Sequence, residues 1–139
     1  MGLDLICNGV FIKCGCLSKL RDSLIIALKD FIELEIEGEN EIDSEKKDRM
    51  VNYLIQLLDG KPPNHELEVL FHCHNMGGFF VFISKNSKYI SYSQAKDFIK
   101  TYKLVKDYIP CDLKDVDGKF YMNAIFRESI HTMRSIEFH

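Results

Sequence analysis

The sequence contains no tryptophan and only three prolines, and ten phenylalanines supply most of its aromatic side chains. No apolar run reaches the about 18 residues that a membrane-spanning helix needs, so no membrane association is expected. The opening residues, MGLDLICNGV, also lack the basic start, apolar stretch and cleavage site of a secretory signal. We therefore expect an intracellular protein whose core is built from phenylalanine, isoleucine and leucine.

An excess of positive charge is also missing. The 18 basic and 21 acidic residues give a formal net charge of -3, so no overall field attracts nucleic acid or an anionic membrane. The acids concentrate in one stretch, at Glu33, Glu35, Glu37, Glu39, Glu41, Asp43, Glu45 and Asp48. The lysines concentrate in another, at Lys85, Lys88, Lys96, Lys100, Lys103 and Lys106. This pattern is consistent with an acidic and a weakly basic pole on the folded protein. Ordinary solvated surfaces explain it equally well.

The chain length predicts one globular domain over residues 1–139, since 139 residues can bury about two-thirds of the surface that the unfolded chain exposes. The cysteines are odd in number, at Cys7, Cys14, Cys16, Cys73 and Cys111. A chain of this size needs no disulfides to fold, and no export signal takes it to an oxidising compartment. Reduced thiols are therefore predicted.

Two regions have the character of β-strands. Residues 3–7 and 10–14 are apolar and partly alternating, and the Asn8-Gly9 pair between them suits a two-residue hairpin turn. Residues 79–84, FFVFIS, form a nearly continuous apolar run without helical periodicity. We predict a central strand there, paired with the hairpin.

Five segments have helical periodicity or helical caps. The first begins with Ser18 as N-cap and ends before Gly38, and the second runs from near Ser44 to Gly60. The third runs from about His65 to about His74 and has Asn64 as its cap. The fourth runs from the Ser91–Gln94 capping box to Pro110, and the fifth from Phe120 to about Phe138. The elements together predict an α+β fold in which four or five helices cover a small antiparallel sheet, made of the N-terminal hairpin and the central strand.

The triplet His72, Cys73 and His74 is the main candidate for a metal site or a cysteine nucleophile. One metal ion needs both histidines on the same side, which a strand provides. On a helix they lie roughly 200° apart and cannot share an ion. Cys14 and Cys16 could complete a composite site only if the fold brought them to the triplet, because their spacing alone does not suit zinc.

Spacing favours a helix through the triplet. The apolar series is Leu67, Leu70, Phe71 and His74, and the opposite, polar side holds His65, Glu68 and His72. We therefore predict that His74 is the more buried histidine and that His72 is exposed beside Glu68. Cys73 is expected to be a free thiol, and no metal, cofactor or catalytic residue is expected here.

Two glycine-containing motifs resemble ligand loops but lack essential features. Gly77-Gly78 follows a helix and precedes a predicted strand, whereas phosphate-binding loops precede a helix, so a helix C-cap and a close backbone approach are predicted instead. In DVDGKF, residues 115–120, a calcium loop centred on Gly118 would need carboxylates where Leu113 and Ala124 stand. This segment is interpreted as a turn, with Asp117 as a candidate cap of the last helix.

Lys96, Lys100 and Lys103 form a basic stripe at helical spacing, with Tyr92 nearby. They are the candidate nucleic-acid contacts. Asp97 and Asp107 interrupt the stripe, so it would bind phosphates weakly and in a salt-sensitive way. A solvated helix face is the favoured interpretation, and nucleic acid is not an expected partner.

The opening MGLDLICNGVFIKCG, followed by LSKLRDSL with Arg21, resembles small MGLD-start proteins of large DNA viruses of algae and amoebae. Those relatives carry a histidine- and aspartate-rich turn between a later strand and a Ser-capped helix. The present chain has FISKNSKYISYSQAKDF there and lacks those ligands. The resemblance implies a viral protein in the host cytoplasm, nucleus or virion, implies no established activity, and carries over no functional residue.

The sequence therefore predicts a non-enzymatic interaction protein, viral and intracellular or virion-associated. Its expected partner is a viral or host protein, with a second copy of the chain, as a homodimer, among the candidates. The first alternative is a small Cys/His metalloprotein or enzyme, and the second is a weak nucleic-acid binder. The abundant phenylalanine, tyrosine and methionine suit a partner surface, and no catalytic constellation is assembled in the sequence.

Overall fold

The computed structural model describes residues 2–36, 42–84, 88–114 and 122–139. The first two strands, β1 (Gly2–Cys7) and β2 (Val10–Cys16), pair antiparallel with Cys7 opposite Val10. Asn8 and Gly9 connect them with φ angles of 48° and 83°, which are the positive values that a type I′ turn requires. The predicted hairpin is confirmed.

The sheet has four strands in the order β2-β1-β4-β3, where β3 is Tyr89–Ile90 and β4 is Ile136–Phe138. All three pairings are antiparallel. The chain end extends the β1–β4 ladder, because the Asp4 and His139 backbones exchange two hydrogen bonds of 3.0 and 2.9 Å. Thus the last strand in the sequence lies inside the sheet, and β2 and β3 lie at its edges.

The prediction of a central strand at residues 79–84 is wrong. Phe80–Ile83 forms a one-turn helix, α4, and the Ser84 N–H donates to the Phe80 carbonyl over 3.0 Å. All four residues of α4 are buried. A segment surrounded by protein on every side has no polar face, so neither the helical nor the strand period is visible in its sequence.

Five longer helices surround the sheet and α4. They are α1 (Leu17–Glu35), α2 (Ser44–Leu58), α3 (His65–His72), α5 (Tyr92–Val105) and α6 (Asn123–Thr132). Two short 3-10 helices follow α5, at Lys106–Tyr108 and Cys111–Leu113. The predicted α+β class, with a small antiparallel sheet covered by helices, is confirmed.

The caps agree with the prediction at two helices and differ at α1. The Asn64 side chain accepts the backbone N–H groups of Glu66 and Leu67, and Ser91 and Gln94 form the complete capping box of α5. At α1 the N-cap is Cys16 and not Ser18, because β2 continues directly into the helix. The predicted stop at Gly38 lies outside the described residues.

The predicted last helix, residues 120–138, is too long. Helix α6 ends at Thr132, where Met133 takes the left-handed conformation with φ of 56°. Farther on, Ile136–Phe138 form β4, which pairs with β1 on one side and β3 on the other. The DVDGKF turn and the proposed Asp117 cap fall on residues 115–120, which lie outside the described part.

Phenylalanine dominates the centre of the core. Phe98 of α5 and Phe126 of α6 stack with ring centroids 3.9 Å apart and planes 5° apart, and Phe82 of α4 meets both edge-on. Phe79 packs against Phe98 at 5.1 Å. Within the described ranges, no helix combines the length and apolar character needed to cross a membrane.

Candidate functional site

The segment from Phe71 to Phe80 turns the chain sharply between α3 and α4. Asn75 is left-handed with φ of 59°, and the Met76 N–H donates to the Phe71 carbonyl over 2.8 Å. This six-to-one bond across a left-handed residue is the Schellman way to end a helix. Asn75 therefore supplies the helix C-cap that was predicted for Gly77-Gly78, and that prediction is wrong.

The two glycines have a different role, which is close packing. A Cβ added to Gly78 would lie 2.2 Å from the backbone oxygen of Asp97 on α5, and one added to Gly77 would lie 2.3 Å from Nδ1 of His72. The Gly78 N–H also donates to the buried hydroxyl of Thr101 over 2.9 Å. The predicted close backbone approach is confirmed, and it brings α5 directly onto the turn.

The histidines of the triplet diverge as the helical spacing predicted. His72 is exposed with its ring against Gly77, and His74 is half-buried. They line different cavities, and Cys73, an exposed free thiol, shares one of them with His74. The predicted burial order of the two histidines is confirmed.

Of the other thiols whose side chains are described, Cys7, Cys16 and Cys111, none lines either cavity. Cys16 is exposed at the start of α1, with its sulfur 3.1 Å from the Ser18 hydroxyl, and that contact lowers the pKa of the Cys16 thiol. Cys14 lies in β2, and its side chain is outside the described part. Among the described side chains, no three histidine, cysteine or acidic groups lie together so that they could hold a metal ion.

The first cavity, which we call the Cys73 groove, has a volume of about 520 Å³. Its lining residues come from α1, the start of the α2 region, the turn after α3, and α5; they are Phe31, Glu35, Ile36, Ile42, Cys73, His74, Asn75, Met76 and Leu104. Five of the nine are large apolar side chains, and Leu104 is 42% exposed there. The groove offers a partly apolar surface to a ligand or a partner.

The second cavity, which we call the Glu68 cleft, lies on the other side of the turn and has a volume of about 370 Å³. It is lined by His65, Glu68, His72, Gly77, Gly78, Phe80, Val81, Ser84, Gln94 and Asp97. A smaller hollow of about 140 Å³ shares His72, the two glycines and Asp97 with it and adds Lys100 and Thr101. This cleft collects acidic groups, imidazoles and amides in one place.

Glu68 is the functional candidate that the sequence reasoning missed. It was placed on the solvated side of α3 beside His72, but its side chain is 5% exposed, so that prediction is wrong. Its two carboxyl oxygens accept the Tyr53 hydroxyl over 3.1 Å and the Ser84 hydroxyl over 2.9 Å. Both partners come from other elements, so no local spacing could have identified them.

Tyr53 connects this buried carboxyl to the start of α3. Its hydroxyl oxygen also accepts the Asn64 N–H over 3.0 Å. The pKa of Tyr53 is raised to about 12, chiefly by burial and also by the nearby Glu68 carboxylate, against the opposing effect of the Asn64 N–H. The hydroxyl therefore stays protonated and donates to Glu68 at physiological pH.

This raised pKa predicts a specific loss of stability in alkali. An unfolded tyrosine titrates near pH 10 and the folded Tyr53 near 12, so its contribution is complete below pH 10 and is lost as the pH rises from 10 to 12. We expect the wild type to lose about 2 kcal/mol more unfolding free energy over this interval than Tyr53→Phe. Urea unfolding at a series of pH values measures the difference.

Tyr92→Phe is the matched control, because Tyr92 is an exposed tyrosine at the start of α5. Its pH profile should follow the wild type. Parallel profiles for the wild type and Tyr53→Phe would show that the Tyr53 hydroxyl is not protected as the structure places it.

The lysine stripe lies on the exposed face of α5. Lys96, Lys100 and Lys103 are all exposed, and the Lys96 ammonium lies 5.2 Å from the centre of the Tyr92 ring on the same helix. Lys100 lines the small hollow beside Thr101. The structure thus places the three lysines on one helix as predicted and directs one of them to an intramolecular aromatic ring.

Comparison of the chain with protein-family models, with curated proteins and with solved structures finds no match in any of the three. The geometry of the two cavities is therefore the basis for a functional proposal.

Proposed function

We propose that the protein is a non-enzymatic interaction module that binds an apolar side chain of a basic protein segment in the Cys73 groove. The observation that carries this proposal is the groove itself, a cavity of about 520 Å³ in whose wall Leu104 is 42% exposed and Phe31 and Ile36 are half-buried, above the buried Ile42 and Met76. Apolar surface that helices leave open at a polar rim is typical of protein-binding sites.

Charge determines which partner fits the groove. Glu35 lines the wall beside Ile36, and Asp43 follows directly after Ile42. Residues 30–48 contain nine acidic residues and two lysines in the sequence. A partner with lysine or arginine on both sides of its apolar anchor would complement Glu35 and Asp43, and the acidic character of this part of the sequence would favour its approach.

The same charge argues against a symmetric homodimer through this groove. A two-fold contact places each surface against its own copy, so the acidic stretches would repel each other. The resemblance of the chain opening to proteins of large DNA viruses adds the setting to the proposal: the partner is a viral or host protein of the infected cell. A dimer through the groove becomes an outcome that the test can detect.

Selection of displayed random peptides on the wild-type protein, with counter-selection on Leu104→Gln, tests the proposal. Leu104 is 42% exposed on α5, so glutamine, which suits a helix, removes the anchor contact without disturbing the core. We expect selected peptides to share one large apolar residue flanked by basic residues. Leu104→Gln should weaken their binding about tenfold, which corresponds to about 1.4 kcal/mol in calorimetry.

Ile55→Gln is the matched control, because Ile55 is 40% exposed on a helix but does not line the groove. Its affinity should equal that of the wild type. Acidic consensus peptides, equal binding to Leu104→Gln, or concentration-dependent dimerisation abolished by Leu104→Gln would each overturn the proposal.

A further inference from the structure

The Glu68 cleft contains a buried carboxyl group that no ion pair between described residues neutralises. Glu68 is 5% exposed, and its two oxygens receive hydrogen bonds from the hydroxyls of Tyr53 and Ser84. These donors are neutral, so they satisfy the hydrogen-bonding capacity of the oxygens only in part and do not neutralise the charge. A carboxylate has about four lone-pair positions, which leaves positions for another donor.

No ion pair between described residues includes Glu68. The ion pairs between described residues join Lys29 to Asp30 and Glu33, and His139 to Glu137, and all lie away from the cleft. Burial of an unpaired charge is expensive, because the group loses water without gaining an opposite charge. A cation delivered from solution would therefore gain a strong interaction in this cleft.

The other walls of the cleft suit a cation on an aliphatic stem. Asp97 of α5 adds a second acidic group, and it is exposed at the mouth. Phe80 and Val81 line the same cleft and are nearly buried, with 4% and 8% of their surfaces exposed. Apolar lining of this kind packs against methylene groups, and an aromatic face attracts a cation.

We propose that the Glu68 cleft binds a primary ammonium or guanidinium group on a short aliphatic stem, with Glu68 as the main charge partner and Asp97 as the second. The cleft volume of about 370 Å³ lies in the range of small-ligand sites. Ammonium and guanidinium groups carry the N–H donors that the free positions on Glu68 require. This site lies on the opposite side of the turn from the Cys73 groove and does not depend on the proposed function.

The test uses n-butylammonium and n-butylguanidinium as probes and n-butylurea as the neutral control, with binding to the full chain followed by NMR of the backbone amides. We expect saturable shifts for the two cations, centred on the amides of Gly77, Gly78 and Ser84. n-Butylurea should produce shifts at least tenfold weaker at equal concentration. N-acetyl-lysine amide and free butylammonium, compared side by side, distinguish a protein side chain from a small amine as the source of the cation.

Variants separate the charge of Glu68 from its hydrogen bonds. Glu68→Gln keeps the size and an acceptor oxygen, and it should weaken cation binding at least tenfold. Asp97→Asn should weaken it a few-fold, because Asp97 is exposed and its charge is screened. Glu66→Gln is the matched control, since Glu66 is an exposed glutamate of the same helix that does not line the cleft.

Three results would overturn the proposal. These are equal binding of cations by Glu68→Gln and the wild type, equal binding of n-butylurea and the cations, and shifts spread over the surface or missing at saturating probe. If Glu68→Gln fails to fold, the amide shifts that the three butyl probes produce in the wild-type protein are sufficient to test whether the cleft binds cations. Leu104→Gln should leave cation binding unchanged, so failure of the groove proposal and failure of the cleft proposal are distinguishable.

Discussion

Gly78→Ala is expected to destabilise the protein by about 3 kcal/mol or more, at the upper end of what overpacking costs. The new Cβ would lie 2.2 Å from the Asp97 backbone oxygen, 2.5 Å from the Asp97 carbonyl carbon and 2.6 Å from the Phe98 Cα. All three atoms belong to the backbone of α5, so no side-chain rotation can relieve the clash. Chemical denaturation of the variant at neutral pH gives the loss as a lowered midpoint.

Displacement of α5 would have a second cost. The Gly78 N–H donates to Thr101, and the Thr101 hydroxyl donates to the Asn75 carbonyl over 2.8 Å. A shift of α5 away from the turn lengthens both hydrogen bonds inside the protein, where no water replaces them. The loss should therefore exceed that of an isolated steric contact.

Gly77→Ala is the matched control, because the three atoms nearest to its Cβ would all belong to the imidazole of His72, the closest at 2.3 Å. His72 is exposed, so its ring can rotate towards solvent. We expect a loss below about 1 kcal/mol, which His72→Ala should relieve in the double variant. Equal losses for the two glycine variants would contradict the close approach of α5 to Gly78.

Phe98→Ala is expected to cost about 3–5 kcal/mol, which is the range for removing a buried aromatic ring. Phe98 is 0% exposed and contacts the rings of Phe126, Phe79 and Phe82 with centroids 3.9, 5.1 and 5.6 Å away. Phe126 belongs to α6, whereas Phe82 and Phe79 lie in α4 and directly before it, so the cavity cannot close by a small movement of one side chain. Since domains of this size are stable by about 5–15 kcal/mol, this loss is a large part of the unfolding free energy, and the variant should unfold at a much lower urea concentration than the wild type.

Urea unfolding followed by circular dichroism measures this loss, and Phe98→Leu should retain a larger part of the stability because it fills more of the space. Phe11→Ala is the control for removal of a phenylalanine as such. Phe11 is 50% exposed on the edge strand β2, so its loss should be within about 1 kcal/mol. A Phe98→Ala variant as stable as Phe11→Ala would show that the stacked pair is not the centre of the core.

The sequence by itself determined the features that depend on neighbours along the chain. The Asn8-Gly9 turn, the Asn64 cap and the Ser91–Gln94 box are each specified within a few residues, and all three have the predicted geometry. The predicted order of burial of His72 and His74 is met as well, although α3 ends at His72 and His74 lies in the turn that follows.

Only the tertiary structure decided the features that depend on contacts between distant residues. Residues 80–83 form a helix that their sequence does not show, because all four side chains are buried and no polar face marks a period, and residues 136–138 form a strand because they pair with β1 and β3. Glu68 became buried because Tyr53 and Ser84, which are 15 and 16 residues away, supply its hydrogen bonds. No pattern within α3 encodes such partners, since periodicity reports which side of a helix is apolar and not which polar group another element will cover.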